Sequence, residues 1–152
     1  QLSYEEAETV LLRCSAGVLA LTGDKAFPYA VPLSYVYDGK HIYFHGATEG
    51  HKIDAIQRNP NASFAVIDQD EVIPEKYTTA YRSVIVFGSI RIIEDEVEKR
   101  AAAHKLAVKY APDNTEQQHA AVIDGAWEHF CMLEMSIAHM TGKVGSALVA
   151  KK

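Results

Sequence analysis

The fold class is decided by two extended runs and the turn that joins them: Tyr29-Ala30-Val31-Pro32-Leu33-Ser34-Tyr35-Val36-Tyr37, Asp38-Gly39, and His41-Ile42-Tyr43-Phe44-His45. In the first run apolar or aromatic side chains recur at every second position, which is typical of a β-strand with one buried face. Asp-Gly is a strong hairpin signal, because both residues tolerate the positive φ of a tight turn. This part of the chain is therefore expected to form an antiparallel hairpin.

The segments on either side of this hairpin repeat the same kind of pattern. Strands are predicted over residues 17–22, 62–67, 81–93 and 127–138, and helices over 4–14, 51–58, 94–110 and 115–125. Residues 68–79 and 140–145 are predicted to be irregular, and Gly88 marks a bulge in its strand. We therefore expect a mainly β chain with peripheral α-helices, in which six to seven consecutive strands form a closed or partly closed antiparallel barrel. Because no linker or repeat interrupts it, residues 1–152 are interpreted as a single domain.

The charge balance argues against nucleic acid as a partner. Lys and Arg total 15 against 20 Asp and Glu, giving a formal net charge of −5, whereas nucleic-acid binding depends on clustered positive charge. No segment approaches the ~20 apolar residues of a membrane-spanning helix, so we expect no membrane partner. The first six residues carry no signal-peptide pattern, and Cys14 and Cys131 are expected to be free thiols. These features predict a cytoplasmic protein.

The segment Glu49-Gly50-His51-Lys52 is a candidate anion site. It leads from a predicted strand into a predicted helix, whose free N–H groups and positive dipole end attract anions. Lys52 adds a cation there and His51 a second one when protonated, so a phosphate group would fit. The alternative is an ordinary solvated helix start with a surface lysine. The spacing does not match a P-loop.

Pro32 and His45 are the other residues with chemical potential. Pro32 donates no ladder hydrogen bond, so it should lie on an edge strand or at a bulge. An edge strand here would either guard the sheet against aggregation or face a ligand. In the second run, Ile42 and Phe44 should face one side of the sheet and Tyr43 and His45 the other. His41 and His45 share a face, but no further ligand completes a metal spacing, so no metal site is expected.

Taken in order along the chain, five motifs resemble one family: Pro28-Tyr29-Ala30-Val31-Pro32-Leu33-Ser34-Tyr35, Tyr43-Phe44-His45-Gly46-Ala47, Gly50-His51-Lys52, Asn59-Pro60 and Ser83-Val84-Ile85-Val86-Phe87-Gly88. The family is the FMN-binding split barrel of the pyridoxamine 5′-phosphate oxidase-like superfamily. Within it, the chain most resembles the nitroimidazole-resistance (Nim) flavoproteins. A weaker echo lies at Met140-Thr141-Gly142-Lys143.

The resemblance implies a six-stranded antiparallel split β-barrel and a homodimer with FMN at the subunit interface. It implies that the strand Ala30, Val31, Pro32, Leu33 and Ser34 runs beside the isoalloxazine ring. His45 and Gly46 would lie near the ring and ribityl chain, His51 and Lys52 would hold the phosphate, and Ser83 would contact FMN from its own strand. His45 would be the catalytic residue, donating a hydrogen bond or a proton to the substrate, or would only bind the flavin.

The implied activity is that of an FMN-dependent oxidoreductase that reduces small electrophiles such as nitroimidazoles and nitroaromatics. The alternatives are a pyridoxamine 5′-phosphate oxidase-type enzyme and a non-catalytic flavin or haem binder, with His45 or His51 as axial ligand. Against the oxidase, Glu49-Gly50-His51-Lys52 stands in place of its Arg/Ser-rich phosphate loop. Met135 and His139-Met140-Thr141-Gly142-Lys143 replace its C-terminal Trp and Arg-Leu-His segment.

Overall fold

The computed structural model describes residues 1–149, which form one antiparallel sheet surrounded by helices. The strands are β1 (Ala16–Thr22), β2 (Pro28–Ser34), β3 (Val36–Tyr37), β4 (His41–Gly46), β5 (Asn61–Ile73), β6 (Thr78–Ile92) and β7 (Cys131–Val144). The helices are α1 (Tyr4–Arg13), α2 (His51–Arg58), α3 (Glu96–Tyr110), α4 (Glu116–Ala126) and the short α5 (Ser146–Val149). Single 3₁₀ turns lie at Pro74–Lys76 and Trp127–His129.

The sheet closes on itself through a single residue. Its strand order is β2-β1-β5-β6-β7-β4-β3, so β2 and β3 stand at the two ends of the order. In sequence, however, these two strands are separated by Tyr35 alone. The chain therefore carries one edge of the sheet directly into the other, and the sheet curls into the split barrel that the sequence predicts.

The number of strands in residues 1–149 is seven rather than the predicted six, because residues 29–37 do not form one continuous strand. Tyr35 leaves the ladder at the corner. Its N–H donates to the Ser15 carbonyl (3.1 Å), its hydroxyl donates to the Leu11 carbonyl (2.7 Å), and its ring is fully buried. Tyr35 fits the alternating pattern of the sequence, but in the structure it forms the bend between β2 and β3.

Two apolar clusters hold these elements together. The first fills the barrel interior, is covered by α1 and α2, and includes Ile42 and Phe44, both fully buried. The second lies between the outer wall of the barrel and helices α3 and α4, and includes Tyr43 and Met132. The alternate facing of Ile42 and Phe44 against Tyr43 is therefore confirmed, and it places His45 on the outer wall with Tyr43.

Three boundaries differ from the sequence prediction. Residues 68–79 are not irregular: β5 and β6 stay paired as far as Ile73 and Thr78, and only a tight turn joins them. β7 begins at Cys131 instead of residue 127 and continues to Val144 through the predicted loop, because it pairs with β6 over its length. The bulge at Gly88 is confirmed by a register shift, and a Cβ there would lie 1.8 Å from the Ser136 carbonyl oxygen.

Candidate functional site

The N-terminus of α2 presents free backbone donors. The first intrahelical hydrogen bond runs from the Asp54 N–H to the Gly50 carbonyl (3.0 Å), which leaves the amides of His51, Lys52 and Ile53 without a helical acceptor. No side chain caps them, and Gly50 enters the helix at φ 129°, in the region that favours glycine. The helix start is therefore open to an anionic ligand, as the sequence predicts.

Lys52 adds a positive charge beside this helix start. Its ammonium lies over Gly46 at the end of β4, where a built Cβ would come within 2.9 Å of Nζ. The side chain is half-buried, and no carboxylate of residues 1–149 forms an ion pair with it. Because no carboxylate neutralises this half-buried cation, an anionic ligand bound beside it would be stabilised by its charge.

His51 connects the same helix start to the opposite edge of the sheet. Its ring lies 4.4 Å from the ring of Tyr29 on β2, centroid to centroid, at an interplanar angle of 35°. The first turn of α2 thus contacts β2 through His51 and β4 through Lys52. The predicted phosphate residues and the two predicted ring-facing strands are brought together in one place.

His45 lies one residue before Gly46 and pairs with Met132 across the ladder. The side chain is partly open to solvent, yet the groups around it shield it enough that burial, and then the charge of Lys52, lower the pKa of its imidazole below the ordinary value. At neutral pH the ring is therefore uncharged, with one nitrogen able to donate and the other able to accept a hydrogen bond. Its ring lies near that of Tyr110 at the end of α3, at 6.4 Å between centroids.

The strand β2 is an edge strand, as Pro32 indicates. It pairs with β1 in the register Val18↔Pro32, and it stands at one end of the strand order. Ala30, Pro32 and Ser34 are exposed, whereas Val31 and Leu33 pack against the barrel core. A ligand beside this strand would therefore contact the small side chains of Ala30, Pro32 and Ser34. Of Val31 and Leu33 it would contact only the backbone.

Ser83 lies apart from these groups. It is on β6, half-exposed between Ile67 on β5 and Lys143 on β7. Among residues 1–149, no hydrogen bond, ion pair or ring contact joins it to His45, His51 or Lys52. Its surroundings are the outer sheet face, where Ile67, Ile85 and Phe87 are exposed.

Two negative findings concern the described part of the chain. Residues 1–149 hold no group of three or more His, Cys, Asp or Glu side chains arranged for a metal ion. Within the same range, none of the helices combines the length and the apolar composition needed to cross a bilayer.

A sequence profile of the pyridoxamine 5′-phosphate oxidase family matches residues 3–144. The chain belongs to this family. The match spans every strand of the barrel, so the expected superfamily is confirmed along with the fold. A search of the curated proteins found no match.

Solved structures of similar proteins carry the same fold. A candidate 5-nitroimidazole antibiotic resistance protein from Bacteroides thetaiotaomicron is 25% identical, with a TM-score of 0.76 over 93% of this chain and 84% of that one. An FAD-binding protein from Mesorhizobium loti is 25% identical, with a TM-score of 0.62 over 93% and 94%. An FAD- and haem-binding protein from Mycobacterium smegmatis is 20% identical, with a TM-score of 0.75 over 100% and 80%. The fold of this family member is thus one on which flavin-binding proteins are built.

The residues of this chain fit a flavin that carries a phosphate group. The terminal phosphate needs a dianion site, and the open amides of α2 together with Lys52 supply one. The planar ring needs an edge with small side chains and free backbone groups, which β2 supplies through Ala30, Pro32 and Ser34. The sequence did not identify the residues of α3 and α4 that border His45, because only the tertiary fold brings them there.

Proposed function

We propose that this family member is a cytoplasmic, FMN-dependent oxidoreductase that acts as a homodimer and reduces small electrophiles, nitroimidazoles and other nitroaromatics among them. The observation that supports the proposal is the Lys52 ammonium over Gly46 at the uncapped start of α2, whose first residue, His51, contacts Tyr29 on the edge strand β2. The likeness to the candidate 5-nitroimidazole resistance protein supports the substrate class.

We favour the mononucleotide because the Lys52 cation and the open amides of α2 lie together, where a terminal phosphate would be held. A phosphate monoester accepts hydrogen bonds from several amides at once and pairs with Lys52, and charge-assisted bonds of this kind are about twice as strong as neutral ones. We assign His51 and Lys52 to the phosphate, His45 and Gly46 to the region of the ribityl chain and ring, and Ala30, Val31, Pro32, Leu33 and Ser34 to the ring. Riboflavin, which lacks the phosphate, should bind much more weakly.

When bound, the flavin supplies the hydride or electrons for reduction. This chain's own residues hold it and control protons near it. His45 is placed to hydrogen-bond a substrate or to pass it a proton, and its lowered pKa makes the imidazolium form a stronger acid than a free histidine. Lys52 has two effects, since it binds the phosphate and destabilises the charged form of His45.

The outer sheet face supports the homodimer. Val18, Ile67, Ile85 and Phe87 are exposed on the adjoining strands β1, β5 and β6. Covering such a face with a second copy buries apolar area symmetrically. It would also allow Ser83, on the same face, to reach a flavin held by the His51 and Lys52 of the other subunit.

The decisive experiment is the absorption spectrum of the purified protein, followed by mass identification of the released ligand. A flavin spectrum with FMN in the released fraction supports the proposal, whereas FAD would shift the assignment to a dinucleotide and a haem band to the haem-binding relatives. The protein, once chemically reduced without oxygen, is then mixed with a nitroimidazole. Return of the oxidised flavin absorbance supports the reductase, whereas turnover of pyridoxamine 5′-phosphate alone would support the oxidase.

Lys52→Ala tests the phosphate assignment directly. Loss of a charge-assisted hydrogen bond should weaken FMN binding by about 1.5–3 kcal/mol, or roughly 10- to 150-fold in Kd. Riboflavin affinity should stay the same, since it does not use the cation. Equal FMN affinity in variant and wild type would remove Lys52 from the site.

A further inference from the structure

A second cavity begins at His45 and extends away from the phosphate end. Its floor is the outer wall of the barrel at His45 and Met132, and its sides are the facing surfaces of α3 and α4. The lining is almost entirely apolar and includes Leu106, Val122 and Ile123. An apolar recess with few polar groups is the usual form of a small-molecule site.

The size of the cavity limits its occupant. Its volume is about 250 Å³, whereas drug-sized ligands occupy roughly 300–1,000 Å³ and a cavity of about 150 Å³ holds benzene. The space therefore fits one aromatic ring with one or two small substituents. A whole flavin does not fit, so this cavity is not an extension of the proposed cofactor site.

The wall of the cavity contains one buried polar side chain. His119 on α4 is 4% exposed, which makes it the one buried polar or charged residue of residues 1–149. Its backbone N–H bonds Thr115, but its ring makes no hydrogen bond to the described residues; its nearest ring is His104, 5.9 Å away. Every side-chain nitrogen or oxygen of residues 1–149 that is sealed from solvent has a hydrogen-bond partner, so the unpaired ring nitrogens of His119 are reached from the cavity, where a ligand can hydrogen-bond them.

We propose that this cavity is the subsite for the ring of the substrate, and that it selects single-ring aromatic compounds that carry a hydrogen-bonding substituent. The ring would pack between Leu106, Val122 and Ile123, and the substituent would hydrogen-bond His119. His45 at the cavity's border would be the residue shared with the flavin. The identity of the ligand as a substrate rests on the proposed function, but its binding to the cavity does not.

The test measures binding in the flavin-free protein, so that it is independent of any activity. Two probes are titrated: nitrobenzene, which has a hydrogen-bond acceptor, and toluene, which has none. The methyl resonances of Leu106, Val122 and Ile123 are followed by NMR. Both should shift these resonances, and nitrobenzene should bind more tightly. Ala107→Leu, which fills the cavity from α3, should abolish both shifts, whereas Ala101→Leu, on an exposed position of the same helix, should not.

His119→Leu separates the polar contact from the shape of the cavity. It should weaken nitrobenzene binding about three- to tenfold, as for a neutral hydrogen bond, and leave toluene binding unchanged. Absence of methyl shifts in the wild type, or shifts that persist in Ala107→Leu, would overturn the subsite. So would a Val122→Glu variant that turns a dimer into a monomer, since the occupant would then be a second copy of the chain. If the protein binds nitrobenzene in this cavity but binds no flavin, the subsite is supported and the proposed function is refuted.

Discussion

Lys52 and Gly46 are matched to each other: the ammonium occupies the space that any side chain at position 46 would need, with Nζ 2.9 Å from a built Cβ. The contact is with the far end of a flexible side chain, so a methyl group at 46 can be accommodated by moving the cation rather than the backbone. Position 46 therefore controls where the charge of the phosphate site lies.

Gly46→Ala should displace the Lys52 ammonium and weaken FMN binding without unfolding the protein. We expect a loss of about 1 kcal/mol, or roughly fivefold in Kd, because a charge-assisted bond is weakened and not removed. Fluorescence titration with FMN measures it. Gly125→Ala is the control, because nothing lies within 4 Å of its built Cβ; it should leave FMN binding unchanged. An unaltered Kd in Gly46→Ala would contradict the relationship.

The charge of Lys52 should also be measurable at His45. Lys52→Ala removes the smaller of the two causes that lower the pKa of His45, so this pKa should rise but remain below about 6.5, the ordinary value, because burial persists. Histidine resonances followed by NMR across pH 4–8 report it. Inorganic phosphate added to the wild type should raise the same pKa. Lys76→Ala, in the turn between β5 and β6, serves as control, and an unchanged pKa in Lys52→Ala would show that the two groups do not interact.

The sequence predicted those parts of the site that depend on local pattern. The Gly50 break before α2, the edge position of Pro32 and the outward side of His45 all follow from short-range rules about glycine, proline and strand alternation. Each of these was confirmed within the described chain. The contact of Tyr29 with His51 needed the fold, since it joins two elements that local pattern treats separately.

What the sequence did not predict depends on pairing between distant segments. The acidic stretch 68–79 was interpreted as irregular, yet Val72, Ile73, Thr78 and Thr79 carry the ladder between β5 and β6 to its end. Tyr35 followed the alternation but bends the chain, because its hydroxyl and amide find partners in α1 and the residue before β1. The cavity at His45 is formed by helices more than 50 residues away in sequence, and no local signal marks it.

Phe87 tests the dimer. It is 42% exposed on the outer face and stacks with His139 at 5.9 Å, where a carboxylate would oppose the apolar contact of two copies. Phe87→Glu should yield a monomer by light scattering and should lose FMN, because Ser83 and the second subunit no longer complete the site. The wild-type interface should exceed about 1,000 Å² in total. Val97→Glu, on exposed α3, is the control. A wild-type monomer with full FMN occupancy would refute this arrangement.

Asp68 should govern acid stability. Its side chain is 9% exposed, and the hydrogen bond from Arg13, with that from Arg82, lowers the pKa of the carboxyl to about 2 despite burial. Because this value lies below that of the unfolded chain, the stabilisation is complete above about pH 4 and is lost as pH falls towards the native pKa. Asp68→Asn should lower the free energy of unfolding at pH 7 by about 1–2 kcal/mol, since Arg13 is half-exposed and solvent screens part of the interaction.

Urea unfolding at several pH values checks this expectation. The difference in the free energy of unfolding between wild type and Asp68→Asn should be constant at neutral pH and should shrink between about pH 4 and pH 2. Asp70→Asn, an exposed position two residues further along β5, should match the wild type at every pH. A difference that stays the same down to pH 2 would mean that the variant acts through packing and not through charge.

His45→Ala should separate proton transfer from flavin binding. At matched FMN occupancy, a nitroaromatic acceptor should restore the oxidised absorbance about 100-fold more slowly than in the wild type, as for loss of a general acid. Because burial and Lys52 lower the pKa of His45, its acid form is populated only at acidic pH. The wild-type rate should therefore fall as pH rises through that lowered pKa, and the variant should lack this dependence. Stopped-flow absorbance measures both, with His41→Ala, on the same face of β4, as the matched control. A His45→Ala rate within a few-fold of wild type, with the same pH profile, would reduce His45 to a residue that only binds the flavin.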